Sequence, residues 1–188
     1  MSLHHLYDWF GANVALFHLI NHFHAAWWDQ LMLAMTWLGD HDRYPYYMAA
    51  ILLVTALRPW WLETRSAAVF GVSYVLTALA VTALKPHLDF PRPLLALGKN
   101  VIVVGPPEFH HSFPSGHATF SVLLAAALSP GVPRAAKWAL WVFAMLVCVS
   151  RVSVGAHFPA DVLAGALLAA ATVLVVAAAM RAVSARTP

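Results

Sequence analysis

The sequence predicts an all-α fold: a polytopic membrane helical bundle of about five to six spans, preceded by interfacial amphipathic helices. Three observations predict it. Of 188 residues, 61% are hydrophobic and only 10% are charged, against about 25% charged in a soluble domain; the mean hydropathy is +0.70. Several apolar segments approach the roughly 20 residues that a bilayer crossing needs. One long hydrophilic connection, 86–116, separates them, and chemically active side chains bracket both its ends. The length suits one domain, 1–188.

The first 43 residues differ from the rest. Leu6, Phe10, Val14, Phe17, Ile20 and Phe23 recur at helical spacing, while His18, Asn21, His22 and Asp29 fall largely elsewhere on the wheel. That pattern describes a helix lying on the membrane surface, with a transmembrane span as the alternative. A short second helix over 31–38 ends at Gly39-Asp40-His41-Asp42. A bundle then occupies 44–182, with spans expected at 44–61, 66–84, 118–128, 136–149 and 160–180. The third and fourth are short in their apolar cores and extend through weakly polar flanks. Pro130 and Pro133 make 129–134 a tight turn between antiparallel helices. The Ala-rich stretch 164–179 reads as a close-packing helix. Trp9, Trp27, Trp28, Trp37, Trp60 and Trp61 read as interface anchors.

Composition also excludes some functions. The isoelectric point is 9.3, but the basic residues are few and scattered, without the basic stripe of a nucleic-acid binder. Cys148 is the only cysteine, so no intrachain disulfide forms. The start, Met1-Ser2-Leu3-His4-His5, lacks a basic stretch followed by an apolar core, so insertion is expected to be driven by the internal spans.

Three short segments carry the chemistry: Lys85-x6-Arg92-Pro93, Pro114-Ser115-Gly116-His117, and Ser150-Arg151-x5-His157-x3-Asp161. Lys85, Arg92 and Arg151 are cations at the ends of apolar helices, where charge is expensive and usually functional. Snorkelling to headgroups would suit Lys85 alone; arginine adds bidentate recognition of phosphate oxygens. The second segment is a loop feeding a helix, whose exposed N–H groups attract anions. Ser115 can cap that helix and Gly116 lets the backbone approach a ligand. His157 and Asp161 are four apart at a helix start with Pro159 in its first turn, so they share a face. The carboxylate can accept Nδ1–H and leave Nε2 free as a nucleophile, the orienting logic of a triad with histidine attacking. Taken singly, each segment also fits an ordinary cap or a surface ion pair. Together they supply three cations, two histidines, two hydroxyls and a carboxylate, a set suited to holding a phosphate and attacking it.

The topology supports the grouping. Lys85 ends the second span, Ser115 and His117 begin the third, Ser150 and Arg151 end the fourth, and His157 and Asp161 begin the fifth. An alternating path puts all of them at one membrane face. The opposite face carries Arg58, Arg65, Arg134, Lys137, Arg181 and Arg186, with Glu63 its only acid. The positive-inside rule then puts that face in the cytoplasm and the motifs outside, which in a Gram-negative cell is the periplasm. Among the other histidines, His18 and His22 have i,i+4 spacing and His110-His111 are adjacent. Neither pair has a convincing third ligand, so no metal site is expected.

The three segments resemble the signature of the type 2 phosphatidic acid phosphatase (PAP2) superfamily, K-x6-RP, PSGH and SR-x5-H-x3-D, in order and spacing. The stretch Asn13-x2-Leu16-Phe17-x2-Ile20-Asn21, then Asp29-x2-Met32-x3-Thr36-x-Leu38-Gly39-Asp40, resembles the small bacterial members, several of which act on undecaprenyl pyrophosphate. The resemblance implies a metal-independent and cofactor-free membrane phosphatase. It implies that His157 attacks phosphorus and becomes phosphohistidine, and that Asp161 orients it. It implies that His117 protonates the leaving oxygen and then activates water. Lys85, Arg92, Ser115, Gly116, Ser150 and Arg151 are implied to hold the phosphoryl oxygens. The expected substrate is a lipid phosphate or pyrophosphate within membrane lipids, foremost undecaprenyl pyrophosphate, in a bacterial cytoplasmic membrane. Phosphatidylglycerophosphate, phosphatidate or lipid A hydrolysis, or phosphotransfer, are the alternatives. A lipid binder or flippase would need the cations without the nucleophile.

Overall fold

A computed structural model describes residues 8–185, so Leu6, His4, His5 and Arg186 lie outside the described residues, as does the side chain of Trp9. The regular elements of the described chain are all helical, and no strand occurs among the described residues. Eight α-helices follow in order: α1 Ala12–Asn21, α2 Ala26–Leu38, α3 Tyr44–Leu57, α4 Thr64–Leu88, α5 Pro93–Leu97, α6 Gly116–Leu128, α7 Arg134–Ser153 and α8 Pro159–Ser184.

The architecture is a shell of helices around α6. Every residue of α6 except His117 and Ala126 is buried, because α4, α7 and α8 all pack on it. Its small residues let the neighbours come close. A Cβ on Gly165 of α8 would lie 2.6 Å from the Ser115 carbonyl oxygen and 2.8 Å from Thr119 Oγ1, so glycine is what allows α8 to touch the start of α6. Phe70, Phe120, Leu123 and Val173 fill the space between them. The outer faces of α3, α4 and α8 carry exposed Leu52, Leu53, Leu76, Leu79, Leu167 and Leu174, as expected of surfaces that meet lipid rather than water.

Only part of the expected span set has the length to cross a bilayer. The stretches Thr64–Asn100, Arg134–Ser153 and Pro159–Ser184 are long and apolar enough. The 14-residue α3 and the 13-residue α6 rise only about 20 Å at 1.5 Å per residue, short of a hydrocarbon core of about 30 Å. For α6 the reason is its place: protein surrounds it, so its apolar run reflects an interior helix. The helices α4, α7 and α8 overrun the expected 66–84, 136–149 and 160–180 at both ends.

The N-terminal helices also depart from a purely interfacial reading. Phe17 of α1 is fully buried, and so are Asn13 and Asn21. Asn21 donates to the carbonyls of Ile102 (2.7 Å) and Ser153 (3.0 Å) and accepts from the Ile102 N–H (3.0 Å), while Asn13 accepts from the Ala160 N–H at 3.0 Å. The buried face thus mixes Asn13 and Asn21 with Phe17, while Phe10, Leu19 and His22 are exposed. The second helix begins at Ala26, earlier than expected, and packs on α7: Trp28 Nε1 donates to Ser153 Oγ (2.9 Å) and Thr36 Oγ1 to Ser150 Oγ (3.0 Å). Trp28 is therefore a packing residue, whereas Trp27, Trp37, Trp60 and Trp61 are exposed. The connection 86–116 is not one open loop. The helix α4 runs through Pro86 to Leu88, α5 follows Arg92, and Val104 N–H bonds the Val154 carbonyl at 3.2 Å.

Candidate active site

The site lies where the end of α4, the start of α5, the start of α6, the end of α7 and the start of α8 converge. The turn between α7 and α8 does most of the assembly. Gly155 has φ +79, and a Cβ there would stand 2.6 Å from the Ile102 carbonyl oxygen, so the turn demands glycine. The N–H groups of Ala156 and His157 both donate to the Arg151 carbonyl, at 3.1 and 3.0 Å. That fold-back explains the five-residue spacer between Arg151 and His157. Pro159 then opens α8, and the Asp161 carboxylate accepts from the Phe158 N–H at 2.8 Å, which fixes it as a cap in the first turn.

His157 and Asp161 are buried almost completely. Nδ1 of His157 lies 3.4 Å from Asp161 Oδ2. Ser112, which the sequence reading did not single out, donates to the same oxygen at 2.5 Å and stands 3.4 Å from His157 Nδ1. On the other side of the ring, Nη1 of Arg92 stands 3.3 Å from Nε2. An arginine has only protons to offer, so Nε2 carries the lone pair and Nδ1 the proton. Burial, followed by the charges of Arg92, Arg151 and Lys85, holds the His157 imidazole well below its ordinary value of 6.5. The imidazole is therefore neutral near pH 7, with the lone pair of Nε2 facing Arg92.

Arg92 is fixed by its other donors. Nε donates to the His110 carbonyl (2.8 Å) and Nη1 to that of Ala156 (3.1 Å). Its remaining nitrogen, Nη2, meets Glu108 Oε2 at 2.7 Å, and Arg151 Nη2 meets Glu108 Oε1 at 3.0 Å. Glu108 is a second residue that motif spacing did not reveal, since no pattern ties it to the arginines. Lys85 completes the cationic side and lines a cavity of about 120 Å³ with His41, Thr77, Thr82 and Gly116.

His117 occupies the first turn of α6, bordering a cavity of about 210 Å³ with Arg151, Glu108 and Asp40. Burial, then the charge of Arg151 and the neighbouring His157, lower its pKa far below 6.5. The ring of His41 stands edge-on to it with centroids 6.0 Å apart; this third unexpected residue comes from the turn before α3. Gly116 leaves its side open to His41, whose Nδ1 lies 3.6 Å from where a Cβ would be. Two expected phosphate ligands are engaged otherwise. The Ser115 hydroxyl caps α6 by accepting from Ala118 N–H at 3.5 Å, and its N–H bonds the Asp161 carbonyl at 3.1 Å. The Ser150 hydroxyl donates to the Val147 carbonyl at 2.7 Å while accepting from Thr36, so it ties α2 to α7 instead of facing the cations.

A neutral imidazole backed by a carboxylate and facing buried arginines is chemically suited to attack on a phosphate ester or anhydride. The chain belongs to the PAP2 superfamily, whose sequence profile matches residues 66–185; it is a membrane phosphatase. It is 32% identical over 163 residues to an undecaprenyl-diphosphatase of Sulfolobus acidocaldarius, covering 84% of this chain and 73% of that one. Its fold is similar to the crystal structure of Aquifex aeolicus LpxE, with a TM-score of 0.77 and 26% identity over 88% of this chain and 94% of that one. It also resembles the first transmembrane PAP2 type phosphatidylglycerolphosphate phosphatase from Bacillus subtilis, with a TM-score of 0.69 and 23% identity over 91% and 85% of the two chains.

Proposed function

We propose that this protein removes the terminal phosphate of undecaprenyl diphosphate, regenerating the monophosphate carrier on the outer face of a bacterial cytoplasmic membrane. The observation that carries the chemistry is the placement of His157, with Nδ1 toward Asp161 and Ser112 and Nε2 toward Arg92. The likeness to an undecaprenyl-diphosphatase supports the choice of lipid.

In this reading the terminal phosphoryl group enters between Arg92, Arg151 and Lys85. Nε2 of His157 forms a bond to phosphorus as the bond from phosphorus to the bridging oxygen breaks. The departing lipid phosphate takes a proton from His117. Water then attacks the phosphohistidine, giving its proton to His117, and the nitrogen–phosphorus bond breaks to release inorganic phosphate. Burial, and after it the nearby cations, depress the pKa of His117 in the free protein; the negative charge of a bound phosphate acts in the opposite direction, so substrate itself favours the protonated acid. Most of the catalysis is positioning and charge stabilisation. Arg92, Arg151, Lys85 and the N–H groups at Gly116 and His117 supply that stabilisation, and Asp161 with Ser112 holds the nucleophile.

The test is phosphate release by purified protein from undecaprenyl diphosphate, phosphatidylglycerophosphate, phosphatidate and lipid A, with EDTA present. EDTA-resistant release, fastest from undecaprenyl diphosphate and lost in His157→Ala, is expected. Faster release from another lipid would replace the substrate; full activity of His157→Ala would remove the mechanism.

A further inference from the structure

We propose that Glu108 is the resident counter-anion of the Arg92–Arg151 pair and trades places with the substrate phosphoryl group in every turnover. This deepens the reading above and rests on it for the identity of the incoming anion. Each carboxylate oxygen meets one guanidinium, at 2.7 Å on Arg92 and 3.0 Å on Arg151. Glu108 thus bridges the two arginines through one N–H of each, and these charge-assisted donors are ones a phosphoryl oxygen would also use, so Glu108 and a phosphoryl group compete for the same donors.

The burial of the partners shows which of them moves. The two guanidiniums are 7% and 4% exposed, against 40% for Glu108. Two buried like charges without a counter-ion would be strongly unfavourable, and Glu108 supplies one while keeping a path to solvent. Its backbone suits departure: it sits on a helix-free arch between the Val104 N–H bond to Val154 and the Phe109 carbonyl bond to Arg92 N–H. Pro106 and Pro107, within that arch, have no N–H to anchor it.

A phosphoryl group also satisfies more of the site. Nε of Arg151 is one of the few buried side-chain atoms, among the described residues, without a hydrogen-bond partner. The Glu108 carboxylate, stretched between two arginines, meets Arg151 only through Nη2 and leaves Nε unmet, whereas a phosphoryl group brings three terminal oxygens and a larger charge. Glu108 therefore balances the charge of the two arginines between turnovers without being needed to place them. It is also an internal competitor: apparent affinity is the intrinsic affinity scaled by the fraction of protein whose arginines are free. Weakly charged anions fail to displace it.

The experiment compares wild type with Glu108→Gln and Glu108→Asp. It uses steady-state kinetics on undecaprenyl diphosphate, inhibition by orthovanadate, and the rise in melting temperature on adding orthovanadate or inorganic phosphate. In Glu108→Gln, KM and the vanadate inhibition constant are expected to fall together by about tenfold, the scale of one partly exposed charge-assisted pair, without a parallel fall in kcat. The melting temperature without added anion should drop and its rise with phosphate should grow. Glu108→Asp, too short to bridge both arginines, should change in the same direction. A lower kcat with unchanged KM would make Glu108 a group in the chemistry, and a raised KM would make it a support for the arginines; either overturns the exchange. If wild type fails to hydrolyse undecaprenyl diphosphate while the variant still gains in phosphate-induced stabilisation, the substrate assignment falls and the exchange stands. Equal stabilisation of variant and wild type would overturn the exchange whatever the substrate.

Discussion

At the residue scale, the hydroxyl of Ser112 occupies the joint between the proposed nucleophile and its carboxylate, 2.5 Å from Asp161 and 3.4 Å from His157 Nδ1. Ser112→Ala should lower kcat about tenfold, below the 10²–10⁴-fold typical of the acid–base groups themselves, with KM little changed. Unchanged kcat in steady-state assays would remove Ser112 from the positioning of His157. Protonation of His157 has a second consequence. Its folded-state pKa is depressed below the ordinary 6.5, so as pH falls through 6.5 the unfolded chain binds a proton that the folded chain refuses. Stability therefore drops as pH falls below about 6.5 and is retained above it. Melting temperatures across pH 5 to 8 check this, and His157→Gln should flatten the slope. The signature residues were legible in the sequence because their spacing is set by local structure: a helix turn for His157 and Asp161, and one fold-back turn for Arg151 and His157. Ser112, Glu108 and His41 were not, because they reach the site through the closure of long connections. Ser115 and Ser150 show that a hydroxyl inside a matching motif can also be engaged by its own helix, which spacing alone does not reveal.

At the element scale, the catalytic geometry depends on how closely α8 meets α6. Gly165→Ala would force a methyl group toward the Ser115 carbonyl and Thr119. Overpacking of this kind costs about 1–3 kcal/mol, and it moves the first turn of α6, where His117 sits. A lower melting temperature together with reduced kcat is expected; wild-type values for both would show that the contact yields freely. Asn21 plays the corresponding role for α1. It ties the segment carrying Ile102 to the end of α7 through three hydrogen bonds. Asn21→Leu leaves the Ile102 N–H and two carbonyls without their partner, at about 1–3 kcal/mol for each buried group left unsatisfied, and should destabilise the site's outer wall. Periodicity located nearly every helix but misjudged what surrounds each one. Apolar runs look alike whether they face lipid, as on α8, or protein, as throughout α6. The amphipathic pattern of α1 likewise showed two faces without showing that Asn13 and Asn21 would be buried beside Phe17.

At the scale of the whole molecule, the structure places the two ends of the bundle in chemical contrast. The site gathers at one end, while Glu63, Arg65 and Arg181 meet at the other, where Glu63 N–H bonds the Gly131 carbonyl. The charge bias between those ends was legible from the sequence, and it supports a cytoplasmic location for the arginine-rich end. In a Cys148→Ser background, a cysteine at the exposed Lys99 should react with an impermeant thiol reagent added outside intact cells, and one at the exposed Arg134 should not. The reverse labelling would invert the orientation. The central claim is that the phosphoryl group passes through His157, and it is tested most directly by trapping. Undecaprenyl diphosphate labelled in its terminal phosphate is mixed with His117→Ala protein and quenched in base, under which phosphohistidine survives. The account predicts label on the peptide containing His157, released by acid and absent from His157→Ala. Turnover by wild type with no label on that peptide in either the His117 variant or rapidly quenched wild type, or label elsewhere on the chain, would contradict it.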